Sequence, residues 1–138
     1  MAQVSSTITI HATADAIWRV IGDFGAACHY LTMVVNCTVV GEGVGAQRTL
    51  TSADGSAIVE RLETLDAAAH RLSYSLLTDT PFRNCLTSMT VRELGQSRAE
   101  LEWSATFEAD GLPTQEAREM LEDALAANCL ALKRLLEG

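Results

Sequence analysis

Between Val34 and Phe107 the sequence is one strand pattern after another, and this succession constrains the fold more than any other feature. Alternating or β-branched runs occupy 34–41, 45–52, 56–66, 71–78, 84–94 and 97–108, separated by GEGVG, SADGS, DAAAH, TDTPF and LGQS. Successive side chains of a strand point to opposite faces, so a run of this kind can bury one face and expose the other. Asp54-Gly55 between two alternating runs is a hairpin signal. Consecutive hairpins imply an antiparallel meander. A further run over 3–11, with Val4, Thr7, Ile8 and Ile10, makes a seventh strand.

Two stretches read as helix. HATADAIWRVIGDFGA follows the first strand, with Thr13 as the expected N-cap and Asp15 in the first turn, where it complements the helix dipole. Ile17, Trp18, Val20 and Ile21 supply its apolar face. Gly22 and Gly25 break it, and AACHYL continues as a short second helix or loop. The segment 114–137 is a long helix. Thr114 is its expected cap, Glu116 and Glu119 come early, and Lys133 and Arg134 come late. The fold class is therefore α+β, a single domain over 1–138.

That last helix is the one element large enough to cover a curved sheet of seven strands. The space beneath it must hold a cavity or large side chains, and aromatic residues are only 5% of the chain, so bulky filling is scarce. At about 100° per residue, Ala117, Leu121, Ala124, Ala131, Leu132 and Leu135 form an apolar stripe. Asn128 falls in its middle. A buried amide without a partner costs about 1–3 kcal/mol, so a neighbour, a water or a ligand must satisfy it.

Composition excludes several classes of function. A net charge of −8 with no Lys/Arg cluster argues against nucleic acid and anionic membrane surfaces. No apolar stretch approaches the roughly 20 residues that insert into a bilayer. The N-terminus MAQVSSTITIHAT lacks a basic n-region and alternates like a strand, so it is not a signal peptide and the expected location is cytoplasmic. Cys28, Cys37, Cys85 and Cys129 form no C-x-x-C pair, and the three histidines are dispersed. Neither suits a metal, so no metal and no cofactor are expected. The cysteines read as free thiols packed as small hydrophobes. No Ser-His-Asp order, phosphate loop or HExxH occurs.

A set of motifs in fixed order resembles the START-like, or Bet v 1-like (SRPBCC), superfamily, and most nearly its bacterial polyketide cyclase/dehydrase-like proteins. The carrying residues are Ala14, Trp18 and Val20 to Gly25; Gly43 to Leu50; Val59 to Asp66; Arg83 and Asn84; and Asn128, Leu132, Lys133 and Leu135. The resemblance spans 3–137. It implies a helix-grip fold, in which a curved seven-stranded antiparallel sheet wraps the long C-terminal helix, with two short helices after strand 1. It implies a small hydrophobic ligand held beneath that helix. The plant abscisic-acid receptors share the scaffold. Similarity to their ligand-facing glutamate, asparagine and arginine points to Glu60, Asn128 and Arg48. Strand parity agrees, because Arg48, Leu50 and Ser52 share one face and Ile58, Glu60 and Leu62 share one face of the next strand.

The departures also carry information. Val35 stands where those receptors place a basic residue for the hormone carboxylate. The gate loop is reduced to SADGS, and the latch is replaced around Thr80, Pro81 and Phe82. Hormone sensing by gate and latch is not expected. Bacterial relatives often carry W-H-P where this chain has Tyr30, Leu31 and Thr32, so a cavity histidine is missing, although His29 is adjacent.

The expected ligand-binding set is Arg48, Leu50, Glu60, Leu77, Met120, Leu121, Ala124 and Asn128. The first functional reading is binding or transport of a polyketide-, aromatic- or lipid-like molecule by a monomer or homodimer that does not insert into membranes. The second is a cyclase or dehydratase using the same cavity, with Glu60 or His29 moving protons and Tyr30 and Arg48 polarising a carbonyl or enolate. Arg48 beside Glu60 opposes a raised carboxyl pKa and favours binding. The third is an interaction module whose pocket has collapsed.

Overall fold

The computed structural model describes residues 1–78 and 80–138; Asp79, within the expected Thr78–Phe82 turn, lies outside them. Its strands are β1 (Ala2–Ile10), β2 (Val34–Val40), β3 (Gln47–Ser52), β4 (Ala57–Asp66), β5 (Arg71–Leu76), β6 (Phe82–Gly95) and β7 (Arg98–Ala109). They form one antiparallel sheet in the order β1-β7-β6-β5-β4-β3-β2. The meander runs unbroken from β2 to β7, and β1 closes the far edge against β7. This is the expected helix-grip arrangement.

Register shifts between Val34 and Asn36, Leu62 and Thr64, Arg83 and Leu86, and Glu93 and Gly95 mark the bulges. Bulges bend strands and increase their twist. Asn84 lies within one of them at φ 51°, a left-handed conformation that Asn tolerates better than most residues, and its amide donates to Glu108 at 3.0 Å.

Helix α1 (Ala14–Ile21) begins as its sequence requires. Thr13 accepts a hydrogen bond from the Ala16 N–H at 3.1 Å, and Glu93 of β6 accepts from the Ala14 N–H at 3.3 Å. Two of the four orphan donors are thus satisfied. Ala14, Ile17 and Ile21 are buried, with Trp18 and Val20 half-buried beside them. A 3-10 segment (Phe24–His29) follows and leans on β2. Gly25 makes that approach possible, since a Cβ there would sit 2.9 Å from Val39 Cγ1.

The long helix α2 (Thr114–Glu137) differs from expectation in two ways. Pro113, not Thr114, occupies the cap position. Its carbonyl accepts from Ala117 at 3.1 Å, and no side chain caps the end. The buried face is also rotated by roughly 60° from the expected stripe, and consists of Ala117, Leu125, Cys129 and Leu132. The reason is tertiary: α2 packs on β1 and β7, at one end of the sheet, so the side chains turned toward those strands are the buried ones. Met120, 48% exposed, and Ala124 lie on the open flank. Among the described residues no helix is long and apolar enough to cross a membrane.

Candidate functional site

β3 and β4 place Arg48 directly opposite Glu60, and β5 continues the row with Leu76. Paired residues share a face of the sheet. Arg48 is 2% exposed, and the Glu60 side chain 12%. Arg48 Nε donates to Glu60 Oε1 at 2.9 Å, and Nη2 lies 2.7 Å from the same oxygen. Nη1 donates to the Phe24 carbonyl at 3.1 Å. The guanidinium carbon is 4.0 Å from the centroid of the Phe24 ring and 4.7 Å from that of Tyr74. A desolvated cation against aromatic faces gains about 2 kcal/mol.

A second layer surrounds the pair. Trp103 donates its indole N–H to the Tyr74 hydroxyl at 3.1 Å, and the Tyr30 ring meets Trp103 edge-on at 6.0 Å between centroids. Burial raises the Tyr30 hydroxyl above its ordinary pKa, against the pull of nearby Arg48. Burial also raises Tyr74, with Glu60 adding to the effect. Both phenols therefore remain proton donors at neutral pH. Burial pushes the Glu60 carboxyl up and Arg48 pulls it back. For Arg48, burial is the largest single influence and acts downward, but the Glu60 charge and hydrogen bond together with Tyr74 and Tyr30 outweigh it and keep the guanidinium charged.

The open space lies beside this cluster, at the rim. A pocket of about 610 Å³ sits between the β5–β6 connection and the end of β7, lined by Leu76, Leu77, Thr78, Thr80, Phe82, Arg83, Asn84 and Asp110. Leu76, the cross-strand neighbour of Glu60, forms part of its wall. The pocket therefore reaches the row that holds the charged pair.

The expected residues fall into separate groups. Arg48, Glu60 and Tyr30 come together, and buried Leu50 lies on the same sheet face as Arg48. Leu77 lines the rim pocket. Leu121 is half-buried on α2, and Met120 and Ala124 face outward. His29 is exposed although Tyr30, its neighbour, is buried. Asn128 has a protein partner, because its Oδ1 accepts from the Thr32 N–H at 3.0 Å. The amide thereby ties α2 to the segment that leads into β2. Phe24 and Tyr74, which sandwich Arg48, were absent from the expected set. Tyr74 shares a face with Leu72 and Leu76, but only the β4–β5 register sets it beside the pair.

Residues 1–137 match the family described as polyketide cyclase / dehydrase and lipid transport. Among solved structures, a putative uncharacterized protein from Bacillus thuringiensis superposes with a TM-score of 0.91 at 24% identity, covering 99% of this chain and 100% of that one. A START superfamily protein from Mycobacterium smegmatis gives 0.82 at 18% identity, with 98% and 97% covered. An aromatase/cyclase from a Streptomyces species gives 0.78 at 22% identity, with 98% and 90% covered. No curated protein matches. These likenesses make the fold START-like.

Proposed function

The chain belongs to the polyketide cyclase, dehydrase and lipid-transport family, and from that premise we propose that it acts as one ligand-binding domain for a small hydrophobic molecule, aromatic or polyketide-like, with at least one oxygen function. The observation that carries this reading is the buried Arg48–Glu60 pair beside an open pocket. A buried ion pair adds little stability over apolar residues of similar volume, so its place on the concave face is better explained by recognition. Leu76, Leu77 and Phe82 supply apolar wall to the pocket, and Arg83, Asn84 and Asp110 its polar rim. Thr78 and Thr80 add two hydroxyls, so polar groups outnumber apolar ones in the lining, which suits a ligand that carries oxygen functions. Glu60 and the Tyr30 hydroxyl would fix the ligand oxygen.

A cyclase or dehydratase activity is the second reading. It draws on the same cluster, because two phenols that stay protonated and a carboxyl raised by burial make a set of proton donors and acceptors. The Arg48 guanidinium on Glu60 weakens that carboxylate as a base, which places binding first.

Thermal-shift titration of the purified protein with aromatic and isoprenoid compounds tests the proposal. A true ligand raises Tm with concentration, and Glu60→Gln lowers its affinity about tenfold. Turnover that Glu60→Gln abolishes while binding persists would promote the enzyme reading. A library that moves Tm nowhere would overturn both.

A further inference from the structure

We propose that Cys28 and Cys37 are a redox pair whose thiols close to a disulfide under hydrogen peroxide, fastening the 3-10 segment Phe24–His29 to β2. The two come from different elements, and each is a half-buried free thiol. The other cysteines lie elsewhere. Cys85 is buried beside Thr87 on β6, and Cys129 is on the packed face of α2. Among the described residues no His, Cys, Asp or Glu joins the pair as a third metal ligand, so its chemistry is that of a dithiol.

The way the segment packs on β2 sets the two side chains face to face. Val39 and Cys37 pair with Arg48 and Leu50 of β3, so both lie on the concave side of the sheet. At one end of the contact, Gly25 meets Val39, where a Cβ would lie 2.9 Å from Cγ1. At the other end, the Ala27 and Cys28 N–H groups are turned to the Cys37 sulfur; burial raises that thiol and these donors pull it back. The segment therefore runs opposite to β2. Residues three apart on a 3-10 turn lie on one side, about 6 Å apart along the axis. Residues two apart on a strand share a face at about 6.6 Å. Cys28 follows Gly25 by three, and Cys37 precedes Val39 by two, so the spacings match. The kink at Ala26 (φ −100°, ψ 17°) does not carry Cys28 away, because its N–H still faces the Cys37 sulfur. A disulfide requires Cα atoms about 4.4–6.8 Å apart. A backbone this near the partner sulfur leaves side-chain rotation to join the two.

The reaction balances on two thiols and one peroxide. One sulfur takes an oxygen from hydrogen peroxide, becomes a sulfenic acid and releases a water. The other sulfur displaces that oxygen, which leaves as a second water while the S–S bond forms. Two electrons pass from the sulfurs to the peroxide, and the thiol protons end in water. A dithiol reductant reverses the step. The bond fastens the segment that brings the Phe24 ring and carbonyl to Arg48. The inference does not depend on a ligand in the pocket.

No Lys or Arg lies between Arg19 and Arg48, so trypsin leaves both cysteines in one peptide, Val20–Arg48. The purified chain is treated with hydrogen peroxide, then unfolded in an alkylating reagent and digested. Mass spectrometry should find this peptide unalkylated at both cysteines and lighter by two hydrogens than its reduced form, while Cys85 and Cys129 are alkylated. Dithiothreitol should restore both alkylations. Oxidation should raise Tm by roughly 5–10 °C, since the bond closes a short loop of the unfolded chain, and should slow amide exchange from Phe24 to Tyr30. Cys28→Ser and Cys37→Ser, checked for folding by circular dichroism, should each lose the rise in Tm. The peptide mass is read on the wild-type chain and stands whether or not the variants fold. Cysteines of Val20–Arg48 that stay open to alkylation, that oxidise to sulfinic acid without joining, or that bond instead to Cys85, Cys129 or a second chain would overturn the proposal.

Discussion

Arg48→Met isolates the energetics of the buried pair. The substitution keeps a long flexible side chain between the Phe24 and Tyr74 rings but leaves Glu60 without its cation. Removing one partner of a buried ion pair costs about 3–5 kcal/mol. The Phe24 carbonyl also loses the donor that Arg48 Nη1 supplies, worth about 1 kcal/mol. A total near 5 kcal/mol against an unfolding entropy of about 2.1 cal/mol/K per residue lowers Tm by roughly 15 °C for a chain of this length. The loss depends on pH. Burial already raises Glu60, and Arg48 is what opposes it. Without Arg48 the folded-state pKa rises further above the unfolded value. Between those two values the folded state binds more protons than the unfolded state, so unfolding free energy falls as pH rises. Arg48→Met should therefore be most stable in acid and lose stability from about pH 4.5 upward, more steeply than wild type. Adding Glu60→Leu should restore most of the loss and flatten the profile. Urea unfolding of the three proteins at several pH values provides the measurement. A neutral-pH loss under about 1 kcal/mol, with a wild-type pH slope, would mean that the pair is effectively solvated, and the recognition argument would fall with it.

Two further outcomes follow from the same geometry. Asn128→Leu should cost about 0.5–1.5 kcal/mol and speed exchange of the Thr32 amide, measured by NMR, whereas Asn128→Asp should keep that amide protected, since the acceptor is Oδ1. Gly25→Ala should destabilise by about 1–3 kcal/mol, because the new Cβ meets Val39 Cγ1 at 2.9 Å; combining it with Val39→Ala should recover part of the loss, and simple additivity in the double-mutant cycle would refute the contact.

The candidate site was partly legible in the sequence. The family resemblance pointed to Arg48 and Glu60, and strand parity agreed with it; the β3–β4 register sets them opposite each other. The rings that enclose them were not legible. Phe24 arrives from the 3-10 segment and Tyr74 from the β4–β5 register, which a bulge between Leu62 and Thr64 shifts by one residue. Pattern reading assigns a residue to a face of its strand, but a bulge changes which cross-strand residues meet.

Asn128 shows the same division. Helical periodicity set it in the middle of an apolar stripe and required a partner for it. The tertiary structure rotated the buried face toward Leu125 and Cys129 and supplied that partner from the Thr32 backbone. What the sequence determined by itself is local and periodic: seven strands in hairpin order, the Thr13 cap and the long final helix. What only the tertiary structure decided is where α2 docks, which flank it leaves open, and that the pocket lies at the rim beside the pair. Those depend on bulges, twist and the packing of elements distant in sequence, and side-chain period carries no record of them.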